Sequence, residues 1–341
     1  MENRRRYILA AAIILLVVGT GISIVFFLNT QRPELTLNLT KIGQIETGGS
    51  TEYVKVVNDI AYVIDQNEPT PGGLVLVNVS DPSNPSVLSS FHDGGLPNSV
   101  DVLGNFVYVA DAFEGLEIID ATDPTNLTEV GEYVGSGEVY HVQIDGNIAY
   151  IADWNYGLVI LNVTNPTNPE YLSSYSITGA CHDLHVVEDL AFVIDHRNDN
   201  TGVKVLNISN PESPRFVGSY MPDNDIWNPF ISGNYLYAGD HGIEDAGLLI
   251  IDVSDPSDIS HAETFNQTGT VFAVHVDGNT AYVANFLSGL FAFDVSNPLN
   301  PMQVGHFYDE AGACNLDVVD DVVYLANRSG GLKIIQVSEV I

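Results

Sequence analysis

The chain has 341 residues, with 44 Asp and Glu against 11 Lys and Arg and a net charge of −33. That balance excludes a nucleic-acid-binding protein, because phosphate backbones are held by Lys and Arg, and it argues against docking on anionic lipid headgroups. Two cysteines, Cys181 and Cys314, are too few for a disulfide scaffold.

Residues 1–6 carry three arginines, Arg4 to Arg6, and residues 7–28 carry no charge. At about 1.5 Å per helical residue that run is long enough for a bilayer core. Arginines before the span place the N-terminus in the cytoplasm and the rest of the chain outside. The expectation is a single-pass signal anchor over 7–28 in the cell membrane, with a cleaved signal peptide as the alternative. Residues 29–37 read as a linker.

From residue 38 onward the chain repeats itself, and self-similarity outranks any local reading. The polar residue before each Val-Ser-Asp/Asn-Pro or its equivalent falls at Asn78, Asp120, Asn162, Asn207, Asp252, Asp294 and Gln336. Each unit holds four short alternating runs. The second run carries an aromatic in every copy: Tyr62, Tyr108, Tyr150, Phe192, Tyr237, Tyr282 and Tyr324. The third run follows a glycine in every copy: Gly73, Gly115, Gly157, Gly202, Gly247, Gly289 and Gly331. The segment Asn38-Leu39-Thr40-Lys41-Ile42-Gly43 matches Asn126-Leu127-Thr128-Glu129-Val130-Gly131, a fourth run, while the C-terminus stops before its own. An N-terminal strand that completes the last unit closes a ring and removes two sheet edges. The fold class expected is therefore all-β: a seven-bladed β-propeller over 38–341, preceded by one transmembrane helix.

Repeats such as Gly146-Asn147-Ile148-Ala149-Tyr150-Ile151-Ala152-Asp153, with Gly157-Leu158-Val159-Ile160-Leu161-Asn162-Val163 and Asn165-Pro166, resemble the LVIVD repeat family. The resemblance covers residues 38 to 338 and implies a cell-surface propeller. It implies no shared catalytic residue.

What recurs in every blade is most simply explained by folding. The series Asp65, Asp111, Asp153, Asp195, Asp240, Asn285 and Asn327 reads as turn residues accepting backbone hydrogen bonds. The sequons at Asn78, Asn162 and Asn207 share a repeat position with aspartates, so a side-chain oxygen accounts for them. The sequon at Asn327 falls in the turn series just described; Asn38, Asn126 and Asn266 are the glycosylation candidates, and Asn266 alone has no repeat-based explanation.

Departures from the repeat are the candidates for function. Loops 66–72, 196–201 and 241–246 are longer than their equivalents. The entries to the innermost strands, at the channel mouth, differ from blade to blade. They supply the binding candidates His141, His182, Asp183, His185, Trp227 and His275, of which His141, His182 and His185 are also candidate transition-metal ligands. A polar mouth without metal is the simpler reading. Cys181 and Cys314 lie three blades apart, which opposes a disulfide. Asp223-Asn224-Asp225 and 198–202 are oxygen-rich enough for weak Ca²⁺ binding but lack EF-hand spacing.

The function expected is a membrane-anchored, extracellular binding module for a protein or glycan partner. The alternatives are a metal-dependent hydrolase or lyase at the channel mouth, and a Ca²⁺-bridged surface-layer protein.

Overall fold

The computed structural model describes residues 12–18, 21–27, 35–66, 72–135, 137–177, 179–197, 200–221, 226–241, 247–266 and 269–340. Seven four-stranded antiparallel sheets form the blades of a propeller. In each blade, strands A to D run from the innermost to the outermost. Blade 1 comprises Ser50–Val57, Ile60–Gln66, Gly73–Asn78 and Ser86–Phe91. Blade 2 comprises Pro97–Leu103, Phe106–Asp111, Gly115–Asp120 and Thr128–Tyr133. Blades 3, 4, 5 and 6 begin at Val139–Asp145, Ala180–Val187, Ile226–Ser232 and Val271–Asp277. Blade 7 comprises Ala313–Val319, Val322–Asn327, Leu332–Glu339 and, as its outermost strand, Leu37–Ile45 from the other end of the domain.

The N-terminal expectation needs correction. Ala12–Val18 and Gly21–Phe27 pair as an antiparallel hairpin where a helix over 7–28 was expected. Among the described residues no helix is long and apolar enough to cross a membrane. The composition favours the hairpin: Ile and Val fill both arms, and Gly19 and Gly21 interrupt the run between them. Residues 1–11, 19–20 and 28–34 lie outside the described residues, as do parts of the three long loops (67–71, 198–199 and 242–246), Asp223 to Asp225, and the last two residues of the Asn266 sequon.

Alternation along each strand buries one set of side chains toward the preceding blade and the other toward the following blade. Seven apolar clusters result, each spanning two neighbours. Tyr108 and Ile118 of blade 2 pack with Val142 and Ile151 of blade 3, and Val54 and Val63 of blade 1 pack with Tyr324 and Ile334 of blade 7. Burying each such side chain is worth about 2 kcal/mol. This two-sided burial is why strands B and C read as continuous apolar runs.

The glycine that opens strand C has a steric cause. At Gly115 a Cβ would lie 2.3 Å from the carbonyl oxygen of Tyr133, the last residue of strand D, and the backbone there is left-handed at φ +93°. Gly157, Gly289 and Gly331 repeat both features. The Asn and Asp residues after strand C close Asx turns: Asn162 Oδ1 accepts from Thr164 N at 3.0 Å, as Asp120 does from Thr122 N at 2.8 Å. The sequons at Asn78, Asn162 and Asn207 therefore have a folding role at each asparagine oxygen. Asn38, Asn126 and Asn266 are all exposed.

Candidate functional site

The seven A strands surround the central axis, and every one is irregular at its mouth end. Pairing with strand B skips a residue between Thr51 and Tyr53, Pro97 and Ser99, Val139 and His141, Cys181 and Asp183, Val271 and Ala273, and Ala313 and Asn315; it also breaks between Trp227 and Phe230. A bulge re-aims the side chain it displaces. Six of the skips displace Glu52, Asn98, Tyr140, His182, Phe272 and Cys314; in blade 5 Asn228 and Pro229 are skipped, and Trp227, still paired with Gly239, takes the equivalent place.

Four of these meet the residues that follow strand B, and together they make an arc of rings over blades 3 to 6. Tyr140 lies 5.2 Å from Trp154 and 4.8 Å from His182, centroid to centroid. His182 stands edge-on to Trp227 at 4.1 Å, and Trp227 stacks on His241 at 4.6 Å and 13°. His241 meets Phe272 at 4.4 Å, and Phe272 meets Phe286 at 5.2 Å. His196 joins from blade 4, 5.8 Å from Trp227. The Arg328 guanidinium of blade 7 ends the arc over Phe286 at 4.8 Å, and its Nε holds Glu52 of blade 1 at 3.0 Å. All these side chains are partly exposed, and each ring pair adds about 1 kcal/mol beyond its burial. Blades 1 and 2 carry polar groups at the same places: Gln66 Nε2 donates to Pro97 O at 2.9 Å, and Asn98 Nδ2 donates to Val139 O at 3.1 Å.

Below the arc, two tiers of side chains bind the A strands to one another. In the upper tier Ser99 Oγ accepts from Val142 N at 3.1 Å, and Asn315 Oδ1 accepts from Val54 N at 3.1 Å. In the lower tier Asp101, Gln143 and Asp317 accept from Ile144 N, Val186 N and Val56 N at 2.7, 2.7 and 2.8 Å. Each such bond satisfies an edge N–H that strand A cannot pair within its own sheet.

The histidines sit among these tiers. His141 Nδ1 is ion-paired with Asp183 Oδ1, which also accepts from Leu184 N at 2.8 Å. Burial opposes the charge on His141, but the Asp183 carboxylate outweighs it and raises the imidazole's pKa. Burial likewise works to raise Asp183, and His141 with the Leu184 N–H holds it below the usual carboxylate range. His185 packs on Phe230 at 5.1 Å, and burial brings its pKa down to about 4, so it is neutral. His275 lies on the other side of Phe230 at 4.6 Å, 3.5 Å from Asp317, and burial lowers its pKa as well.

The six candidates thus divide into two groups. His182 and Trp227 belong to the aromatic arc; His141, Asp183, His185 and His275 line the channel beneath it. Among the described residues, the metal candidates His141, His182 and His185 do not converge on one centre with a further His, Cys, Asp or Glu. Both cysteines are buried free thiols, and burial pushes Cys314 up to about 12, far from a thiolate nucleophile. Sequence reasoning missed Trp154 and Arg328, and reached His196 and His241 only as members of the long loops 196–201 and 241–246 and Phe286 only as part of a loop that departs from the repeat. Their signal is the column directly after the repeated Asp or Asn, where blades 3 to 7 carry a ring or a guanidinium while blades 1 and 2 have Gln66 and Ala112. That column sits beside one explained by folding, which conceals it.

A ring of seven four-stranded blades with a ring-lined mouth on one face defines a β-propeller with its candidate site at the channel entrance. The LVIVD repeat matches residues 48–93, 94–134, 136–177, 178–222, 225–267 and 268–309, and the chain belongs to that family. No curated protein matches it. Among solved structures, the crystal structure of the computationally designed Ika8 protein is similar in fold, with a TM-score of 0.62 at 10% identity over 87% of this chain and 99% of that one.

Proposed function

We propose that this propeller is a binding module held at the outer face of a cell membrane, and that its extracellular protein or glycan partner docks on the arc from Trp154 to Arg328. The observation that carries the reading is the continuity of that arc: half-buried rings from four successive blades follow one another in tilted, stacked and edge-on contacts, with a guanidinium at one end. Aromatic rings and arginine held rigidly at a partly exposed surface are the side chains that dominate binding energy. The histidines a hydrolase would need are split between two layers, which favours binding over metal-dependent catalysis.

Attachment would rest on residues 7–28, which carry no charge and follow Arg4 to Arg6. A lone hairpin leaves edge N–H and C=O groups unsatisfied in lipid, so insertion would require these residues to re-form as a helix.

Both tryptophans of the chain, Trp154 and Trp227, lie in the arc, so intrinsic emission reports on it directly. The test screens the full-length protein in detergent against a glycan array and a surface-protein fraction, following hits by tryptophan emission. The reading predicts hits that shift emission and are lost in Trp227→Ala and Phe272→Ala. Hits unaffected by those variants but lost on Asp123→Ala, in a turn between strands C and D, would sink it.

A further inference from the structure

The position two residues after the repeated glycine of strand C, buried in every blade but the fourth, changes character around the ring. It is Val75, Val159, Leu249 and Phe291 in blades 1, 3, 5 and 6, but Lys204 in blade 4, Lys333 in blade 7 and Glu117 in blade 2. In blade 7 the Lys333 ammonium donates to Asp309, whose other oxygen accepts from Asn327 Nδ2 at 3.0 Å. In blade 4 Lys204 pairs with Asp195. The place beside the end of strand B is thus filled by a protein cation twice.

Blade 2 has the same three places with the charge inverted. Asp93 stands where blade 7 has Asp309, Asp111 where it has Asn327, and Glu117 where it has Lys333. Their ligand oxygens all lie within 4.8 Å of one another. Asp111 is 2% exposed and Glu117 6%, while Asp93 opens to solvent. Asp111 accepts from Leu96 N at 2.5 Å and Asp93 from Gly95 N at 3.2 Å. The Glu117 carboxyl meets the Asp93 carboxyl in a side-chain hydrogen bond within the cluster. The three carboxyls face a small cleft closed by Phe91, Pro97 and Ile119.

We propose that Asp93, Asp111 and Glu117 bind a hard divalent cation, Ca²⁺, in the place that the Lys333 ammonium fills in blade 7. Three carboxylates are hard oxygen donors with no nitrogen or sulfur among them, which suits Ca²⁺ and not a transition metal. Exposed Asp93 provides the entry path, and water supplies the remaining ligands. A bound cation offsets the mutual repulsion of three carboxylates held this close together. The ion would pin the connection 93–96 that leads from blade 1 into the A strand of blade 2.

The test strips the full-length protein with EDTA and titrates it with CaCl₂ by calorimetry at near-neutral pH and physiological ionic strength, alongside thermal unfolding. Wild type should show one saturable site and a Ca²⁺-dependent rise in Tm. Glu117→Lys, which copies blade 7, should lose the site and unfold at a temperature indifferent to Ca²⁺. Asp93→Asn, at an exposed residue whose loss does not threaten the fold, should weaken the site by about tenfold or more. If wild type shows no saturable site, or if Asp93→Asn and wild type give the same isotherm and the same shift in Tm, the carboxyls hold protons instead and the proposal is overturned.

Discussion

His141 of blade 3 reaches across to the carboxylate of Asp183 in blade 4, at a position where other blades bind a main-chain N–H. Ser99 and Asn315 accept from the A strand of the next blade; at His141 the corresponding N–H, that of Leu184, is taken by Asp183 itself. A side-chain ion pair has replaced a backbone tie. The pair stabilises the fold where both groups are charged. His141, with its folded pKa raised, contributes fully below about pH 6.5 and loses its contribution as pH rises through the folded value. Asp183, with its folded pKa lowered, contributes above about pH 3.9 and loses it as pH falls through the folded value. Asp183→Asn should lower the His141 titration midpoint seen by NMR and cost about 3 kcal/mol near pH 6, because it strands a buried imidazolium. An unchanged His141 midpoint would show that the contact does not set the charge.

His185 gives the opposite slope on the acid side. Between about pH 6.5 and about pH 4 the unfolded chain takes up a proton that the folded state refuses. Stability should therefore fall as pH falls through that window, by up to roughly 3 kcal/mol for this group. Urea unfolding of wild type and His185→Gln from neutral to mildly acid pH checks it: the variant should show the shallower loss.

Lys333 is buried at the heart of blade 7, with the Asp309 carboxylate on its ammonium. The pair offsets its own desolvation only while both partners are present. Lys333→Ala should destabilise by about 3 kcal/mol or more, and Lys333→Ala with Asp309→Asn should recover part of that loss. Equilibrium unfolding of the double-mutant cycle measures the coupling.

Leu37–Ile45 is the outer strand of blade 7 and buries Leu37 and Leu39 against blade 6. A chain lacking residues 1–34 should fold, since the outer strand of blade 7 is kept. One lacking residues 1–46 should expose the edge of Leu332–Glu339 and aggregate. Sedimentation and circular dichroism of the two truncations separate these outcomes.

The arc predicts a fluorescence signature before any partner is known. Trp154 and Trp227 are each partly exposed, so acrylamide should quench both to an intermediate degree. Trp227→Ala should also increase the exposure of Trp154, because His182 and His196 lie between the two rings and lose a support.

The blade count, the four strands of each blade and the turn asparagines were legible from residue order because their causes are local. An Asx turn at Asn162 needs only the next two residues, and the glycine before strand C answers a carbonyl in its own blade. The mouth is half legible: His182 and Trp227 stand out as departures from the repeat and His241 falls in a long candidate loop, yet residue order does not show that His241 stacks on Trp227 or that Phe286 meets Phe272. Trp227–His241 and Phe272–Phe286 each join strand A to the end of strand B within one blade, while His182–Trp227 and His241–Phe272 cross between neighbouring blades. Only the bulge in strand A and the angle between neighbouring blades bring the rings to 4–5 Å. The same holds for Glu117, one apolar-run exception in the chain, which acquires meaning when Asp93 and Asp111 face it from other strands. Short-range geometry follows from residue order along the chain; charge and ring contacts across blades depend on a packing that no single repeat contains.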